Sequence, residues 1–515
     1  MSARETLPAV AAMTPRRRWA ALIVLAGSLL VVMMDMTILI MALPDLVEEL
    51  SPSASEQLWI VDVYSLILAG LLIPMSALGD RWGRKRLLLT GFVLFGLVSV
   101  LVLFAGSPAF VIALRALLGA AGAMIMPTTL SMIRTIFQDP KERATALAVW
   151  AVVSGLGAII GPVVGGALLE VFSWHSAFLI NVPFVLVAVV AGALLLPEAR
   201  DPRPPRWDLV ATVLSIAGMS LLVWGIKQLA KEGWGDVPSW GAVLAAVALM
   251  TWFVRRCLGR ADPLLDVRLF RSRPFRAGTI AALASMFAMS ALLLLVAQWL
   301  QVVAGYSPLV AGLALLPMAA GSFVFAPFAP ALAFRIGART VLAGGLATAG
   351  AGLLLLYVLG SPLSYPELVV PLALVGAGTG SLAVGSAIIM GSTPQEKAGN
   401  AAAIEEAMYD LGSVLGIAVL GSVAAALYRH HLGIGAFSGA GLPGPLADAA
   451  DESLVGALEV ARQTGLDDLA ATATAAFVDS LGQTSLVGGV VMLAAAVVTY
   501  LLIPRSYDLA ATGPH

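Results

Sequence analysis

Charge is scarce in this chain. Asp, Glu, Lys and Arg make up 12% of its 515 residues, about half the share of a soluble globular protein. Hydrophobic residues make up 59%, and mean hydropathy is +0.94. So little charge cannot cover several soluble domains, so most of the surface faces lipid. The net charge of −1 leaves no basic footprint for nucleic acid. Cys257 stands alone, which excludes an intrachain disulfide and argues against a thiolate zinc site. Of the four histidines, His175, His430, His431 and His515, only the middle two are close together, and no carboxylate or cysteine pattern completes a metal site around them. No nucleophile–base set appears either, so neither an enzyme nor a bound cofactor is expected.

What is present is a series of apolar runs. A membrane span needs about 20 mostly apolar residues. Such runs lie roughly at 19–43, 57–78, 88–105, 109–134, 144–169, 175–196, 208–227, 239–255, 277–302, 309–334, 340–359, 367–392, 401–427 and 485–503, fourteen in all. Arg16-Arg17-Arg18 before the first run could mark a signal peptide. That run is long enough to span, however, and no small-residue cleavage site follows it, so it is expected to be retained.

With the N-terminus placed in the cytoplasm, the successive cytoplasmic segments carry 4, 4, 3, 3, 7, 2, 1 and 1 Lys and Arg residues. The outer loops carry Lys227, Lys231, Arg429 and Arg462, and Arg115 alone lies within a span. This alternation follows the positive-inside rule and predicts both termini in the cytoplasm. It predicts a cytoplasmic tail at 1–18, a six-helix bundle at 19–200, two inserted spans at 201–260, a second six-helix bundle at 261–504 and a tail at 505–515. A basic loop at roughly 256–276 joins the halves. A long outer loop at 428–484 begins with Gly and Pro and becomes amphipathic and acidic. It reads as a solvated linker or as a helical flap whose acidity attracts cations. Gly79-Asp80-Arg81-Trp82-Gly83-Arg84-Lys85-Arg86, after the second span, is echoed by Phe334-Arg335-Ile336-Gly337-Ala338-Arg339 after the tenth. Both are short basic turns at the same place in a six-span block, as expected of repeated halves.

Several residues carry candidate chemistry. In the turn from Gly79 to Arg86, glycines permit a tight approach of helix ends, and Asp80 can pair with arginine or accept helix N-terminal amides. In the fifth span, Gly155, Gly157, Gly161, Gly165 and Gly166 remove side-chain bulk and Pro162 bends the helix. Ionisable groups inside spans are costly and usually functional. Asp35, Asp62 and Arg115 share one depth in the outer half of the first bundle. Pairing with Arg115 would favour a carboxylate anion and desolvation the neutral acid, a balance suited to carrying protons. In the thirteenth span, Glu406 and Asp410 are four apart and share a face, while Glu405 points about 100° away. That acidic site is expected nearer the inside than the first. Trp59, Tyr64, Phe287, Trp299, Met408 and Tyr409 are candidates to cover the apolar part of a substrate.

Family resemblance covers essentially the whole chain. The turn with Gly79, Asp80, Arg81, Gly83 and Arg84 resembles the signature loop of the major facilitator superfamily, which implies a part in conformational cycling. Gly155, Gly161, Pro162, Gly165 and Gly166 resemble the fifth-span motif of its antiporters. Met34-Asp35-Met36-Thr37, Trp59-Ile60-Val61-Asp62-Val63-Tyr64 and Arg115-Ala116-Leu117-Leu118-Gly119 look like motifs of the fourteen-span drug:proton antiporters. Pro394 to Asn400 leading into Glu405-Glu406, and the long outer loop, look like the QacA-type exporters of quaternary ammonium compounds.

The resemblance implies an all-α, multi-pass protein of the cell membrane. It would be a monomer that exports lipophilic cations, antiseptics and dyes and draws on the proton gradient alone. Asp35, Arg115, Glu406 and Asp410 would couple protons. Asp35, Asp62, Glu405 and Glu406 would meet the cation, together with the apolar and aromatic candidates. One departure stands out. Where some of these exporters carry an acid in the tenth span, this chain has Ser322 within Gly321-Ser322-Phe323-Val324-Phe325-Ala326-Pro327, which puts divalent cations in doubt. The alternatives are export of one endogenous compound, such as a lipid or self-made antibiotic, and a membrane sensor without transport.

Overall fold

The computed structural model describes residues 13–505 and Tyr507, apart from 53, 201–207, 233–234, 262, 361, 433–453, 466 and 506. The secondary structure of these residues is helical, as a bilayer without water demands of a chain that must satisfy its own backbone. In order the helices are α1 (Pro15–Leu50), α2 (Ala54–Trp82), α3 (Arg84–Leu101), α4 (Pro108–Ile136), α5 (Pro140–Leu169), α6 (Asn181–Leu195), α7 (Leu209–Glu232), α8 (Val237–Leu258) and α9 (Arg273–Gln298). Then follow α10 (Pro308–Ala314), α11 (Leu316–Phe325), α12 (Phe328–Ile336), α13 (Ala338–Leu359), α14 (Tyr365–Thr379), α15 (Leu382–Gly391), α16 (Ala398–Leu432), α17 (Leu454–Thr464) and α18 (Asp467–Leu502).

A repeated local code starts many of them. Thr14, Ser107, Asp139, Ser272 and Ser307 each precede a helix with proline in its first two positions, and each side-chain oxygen accepts an amide of the first turn. Asp236 begins α8 in the same way. The cap satisfies an orphan donor, and proline has none to lose there.

Twelve of the described helices are long and apolar enough to cross a membrane. The pair Val310–Phe325 and Phe328–Ile336, bent by 49°, is a thirteenth if taken as one span. α5, with 30 residues, runs alongside α1. The expected span at 309–334 is therefore three pieces, interrupted at Leu315 and again at Ala326-Pro327. The span at 367–392 breaks at Gly380-Ser381. Hydropathy reports how apolar a run is and carries no signal for such bends.

Two corrections concern the outer side. Lys227, expected in a loop, lies within α7. The long loop at 428–484 is shorter than expected, because α16 runs on to Leu432 and α18 begins at Asp467. Between them, α17 buries Leu454, Ala457, Val460 and Ala461 and packs on α18. Residues 433–453 of that loop lie outside the described residues.

The helices pack as two related sets. In the first, α1 pairs with α5, α2 with α4 and α3 with α6. In the second, α9 pairs with α16, α11 with α14 and α13 with α18. The repeat extends to the backbone: Gly83 (φ 117°) and Gly337 (φ 92°) occupy equivalent turns in a conformation that residues with a Cβ avoid. α16 of the second set lies against α2 and α4 of the first, and α5 lies against α15 and α10. The inserted helices α7 and α8 pack on each other, and α7 touches both α2 and α16, covering one seam between the sets. Its N-terminus is anchored by Asp208, which accepts from Arg256 at 2.8 Å and pairs with Arg260 at 3.1 Å. Burial works against that carboxylate's charge, but the bonds from Arg256 and from the Ala211 amide outweigh it and hold it below the usual range.

Candidate transport site

In α1, Asp35 is 1% exposed, a costly position for a carboxylate. Its Oδ2 accepts from Arg115 Nη1 at 2.8 Å, and its Oδ1 accepts from Asn181 Nδ2 at 2.7 Å. Arg115 also donates from Nε to the Ile60 carbonyl at 3.3 Å, and its guanidinium lies 4.3 Å from the centre of the Tyr64 ring. Glycine makes this stacking possible: a Cβ on Gly119 would sit 2.5 Å from the Tyr64 carbonyl, so α4 and α2 can approach only without one. The cluster thus joins α1, α2, α4 and α6.

Asp62 does not join it. It pairs instead with Lys227 of the inserted α7, both side chains about a third exposed. The expectation that Asp35, Asp62 and Arg115 meet rested on equal depth, but depth does not fix the helix face. Asp62 lies two residues from Tyr64, about 200° around the helix.

In α16, Gly412 and Gly416 lie against the backbone of Leu283 and Phe287 on α9. Glu406 and Asp410 then point the other way, toward the first set of helices. Glu405 turns into the second set, where its carboxylate accepts from Ser386 and from the Tyr409 hydroxyl at 3.1 Å. Glu406 is buried, and its Oε1 has no hydrogen-bond partner among the described residues, nor has Oδ2 of the half-buried Asp410. The buried hydroxyl of Tyr64 also has no partner among the described residues. Tyr64 and Arg115 lie on α2 and α4, the helices of the first set against which α16, with Glu406 and Asp410, packs.

The apolar candidates are scattered. Trp59, in α2, is 42% exposed. Trp299 is buried in a π-helical turn following α9. Phe287 packs its backbone on Gly416, and Met408 is half-buried against the core. Ser322, half-buried in α11, lies with its carbonyl against Gly380.

The conformational motifs are built as paired close contacts. Asp80 is buried, accepts from Arg84 Nη2 at 2.8 Å, and Arg84 donates onward to Thr135 at 3.0 Å. A Cβ on Gly399 would lie 2.6 Å from Asp80 Oδ2, so this carboxylate reaches the positive N-terminal end of α16 across the interface. Ser76 Oγ donates to the Gly399 carbonyl at 2.6 Å, and Arg134 donates to the Thr393 carbonyl, closing the same end. A Cβ on Gly79 would lie 3.2 Å from Leu87 and one on Gly83 would run into Glu198, while Arg81 is exposed. In the second set the place of Asp80 is taken by Phe334, over which Lys141 of α5 lies at 5.7 Å.

In α5 the close approach to α1 runs through Gly157, Gly161 and Gly165, whose Cβ positions would collide with Leu30, with Met34 and Thr37, and with Ile38. Gly166 faces open space and is not part of that stripe. The side-chain surroundings of Gly155 and Pro162 lie outside the described residues. Residues that sequence reasoning missed are Asn181, Lys227, Ser386 and Gly399. A lone Asn or Lys in an apolar helix was the available signal for the first two.

The chain matches the Major Facilitator Superfamily over residues 25–417. It belongs to that family. Within it, the chain is 41% identical over 500 residues to the multidrug efflux pump LfrA of Mycolicibacterium smegmatis, covering 96% of this chain and 97% of that one. It is 39% identical over 409 residues to the methyl viologen resistance protein SmvA of Salmonella typhimurium, covering 79% and 82%. It is 32% identical over 493 residues to the tetracenomycin C resistance and export protein of Streptomyces glaucescens, covering 94% and 91%. Among solved structures, the human organic anion transporter MFSD10 shares the fold with a TM-score of 0.59 at 16% identity, over 93% of this chain and all of that one. The chain is thus a multi-span major facilitator with multidrug efflux pumps among its relatives, which places it with transporters rather than enzymes.

Proposed function

We propose that this transporter exports lipophilic cations, of the quaternary ammonium and dye type, in exchange for protons across the cell membrane. The observation that carries this reading is the acidic face of α16, where Glu406 is buried and Glu406 Oε1 and Asp410 Oδ2 have no hydrogen-bond partner among the described residues, on a helix that packs on α2 and α4 beside the buried Asp35–Arg115 pair. A bare carboxylate in low-dielectric surroundings is penalised, so Glu406 and Asp410 favour occupation by a proton or by a cation. Both occupants neutralise the same place, which makes them competitors, and competition is what exchange requires. The relatives named for multidrug efflux and methyl viologen resistance support the substrate class.

Twelve apolar helices, the bent pair and α5 together support fourteen spans, and the basic segments support cytoplasmic termini. The proton gradient is the energy source, and the working unit is a monomer. Export of a single endogenous product is the second reading, favoured by the likeness to the tetracenomycin C exporter. Everted membrane vesicles with an acidic lumen distinguish the two. They should accumulate ethidium, and collapse of the gradient should release it. Accumulation of no cationic dye by well-folded protein would overturn the multidrug reading.

Charge counting gives a second expected result. Arg115 cancels Asp35 and Lys227 cancels Asp62, which leaves the α16 acids to balance a substrate. Lys227→Met frees Asp62, so transport of the dication methyl viologen should rise relative to ethidium. A partly exposed ion pair of this kind is worth up to ~1 kcal/mol, which limits the change to a few-fold. Adding Asp62→Asn should return the ratio to its starting value. Relative uptake rates of the two compounds in vesicles measure it.

A further inference from the structure

Away from the transport site, a groove of about 740 Å³ opens between α1, α3 and α6 on the outer face of the first helix set. Its wall is apolar and includes Ile23, Gly27, Val31, Phe184, Val187 and Ala191. Ile23 and Val187 are largely exposed, so the groove is open along its length to whatever surrounds the protein. One end lies at Leu195, the last residue of α6. There the groove meets two cations: Arg17 donates to the carbonyls of Leu194 at 2.9 Å and Leu195 at 3.3 Å, and Lys85 Nζ donates to the carbonyl of Ala193 at 2.6 Å.

These contacts cap the end of α6, but capping does not use up the charge. A helix C-terminus carries only about half a negative charge, against two full positive ones. Neither Arg17 nor Lys85 has a side-chain ion pair among the described residues. Glu198, the nearest carboxylate along the chain, is occupied by the amides of Lys85 and Ala199 and by Arg86 at 3.7 Å. A positive rim at one end of a long apolar groove complements a molecule with an anionic head and a hydrocarbon tail.

We propose that this groove is a binding site for one anionic phospholipid, its phosphate at Arg17 and Lys85 and an acyl chain along Ile23, Gly27 and Val187. Basic clusters at the cytoplasmic boundary between helices hold such headgroups, and chain burial adds an affinity that headgroup charge does not change. The site is independent of the transported substrate.

The test is native mass spectrometry of the full chain in detergent, with equimolar dioleoyl phosphatidylglycerol and dioleoyl phosphatidylcholine. Wild-type protein should retain the anionic lipid over the zwitterionic one by on the order of tenfold, two basic groups each contributing a few-fold. Arg17→Gln with Lys85→Gln should bring the two lipids close to parity. Gly27→Phe should reduce retention of both, since a side chain there meets nothing within 4 Å and fills the groove. Should that variant fail to fold, Val187→Trp fills the same space from an exposed position. Equal retention of the two lipids by the wild type, or retention untouched by the filling variants, would overturn the proposal. So would displacement of the lipid by equimolar ethidium, which would make the groove a drug access route, or a dimer lost on filling, which would make it a self-association surface.

Discussion

Arg115→Gln should yield a protein that inserts but melts far earlier than the wild type and transports nothing. The guanidinium is 1% exposed and holds three things at once: the Asp35 carboxylate, the Ile60 carbonyl and the face of Tyr64. Glutamine removes the charge and leaves Asp35 anionic in a dry interior with only Asn181 beside it. Breaking one partner out of a buried ion pair costs about 3–5 kcal/mol. Asp35→Asn added to Arg115→Gln removes the stranded charge, so most of the melting temperature should return. Transport should not return, because a neutral pair binds no exchangeable proton. Thermal unfolding of the purified variants and dye accumulation in vesicles separate the two effects. A double variant as unstable as Arg115→Gln would mean that packing, not charge, dominates at this site.

Glu406→Gln and Asp410→Asn should show the opposite combination: full or slightly raised stability with loss of cation transport. These carboxylates lie one turn apart on one helix face and make no ion pair among the described residues, unlike Asp35 with Arg115. Neutralising either relieves like-charge repulsion and the burial of an unpaired anion, both of which oppose folding. It also removes the group for which proton and drug compete. Glu405→Gln should be milder, because the Ser386 and Tyr409 contacts fix its side chain away from the interface. Melting temperature and ethidium uptake on the same preparations provide the comparison. Transport retained in both Glu406→Gln and Asp410→Asn would remove α16 from the coupling mechanism.

Much of this arrangement was legible in the chain itself, and the failures share a cause. Of the fourteen spans expected from hydropathy, twelve described helices and one bent pair are long and apolar enough to cross a membrane, and the turns at Gly83 and Gly337 announced the repeat before their positive φ values were known. The fifth-span glycines announced a close helix contact. Their spacing of four selects Gly157, Gly161 and Gly165 and excludes Gly166, which faces open space. What one helix cannot disclose is its neighbour. Equal depth allowed Arg115 to pair with a carboxylate but did not choose between Asp35 and Asp62, whose counter-ion came from the inserted α7. Asn181 and Gly399 matter only because distant segments fold onto Asp35 and Asp80.

The resulting account differs in one respect from two separate acidic clusters. α16, which carries Glu406 and Asp410, packs directly on α2 and α4, which carry Tyr64 and Arg115, so the two acidic groups lie on helices in contact. In the proposed exchange, occupation of Glu406 or Asp410 bears on the contact between the sets. The far end is latched by Asp80 and Ser76 on the start of α16, the helix that carries both acids. A change of charge in the middle of α16 and a change of contact at its end are therefore events on one rigid element.

Proton release from purified protein in weakly buffered detergent solution tests the central claim most directly. Addition of tetraphenylphosphonium, followed with a pH indicator, should release protons from the wild type, and the release should be lost in Glu406→Gln with Asp410→Asn. Binding of the cation with no proton released by the wild type would contradict exchange at a shared acidic site.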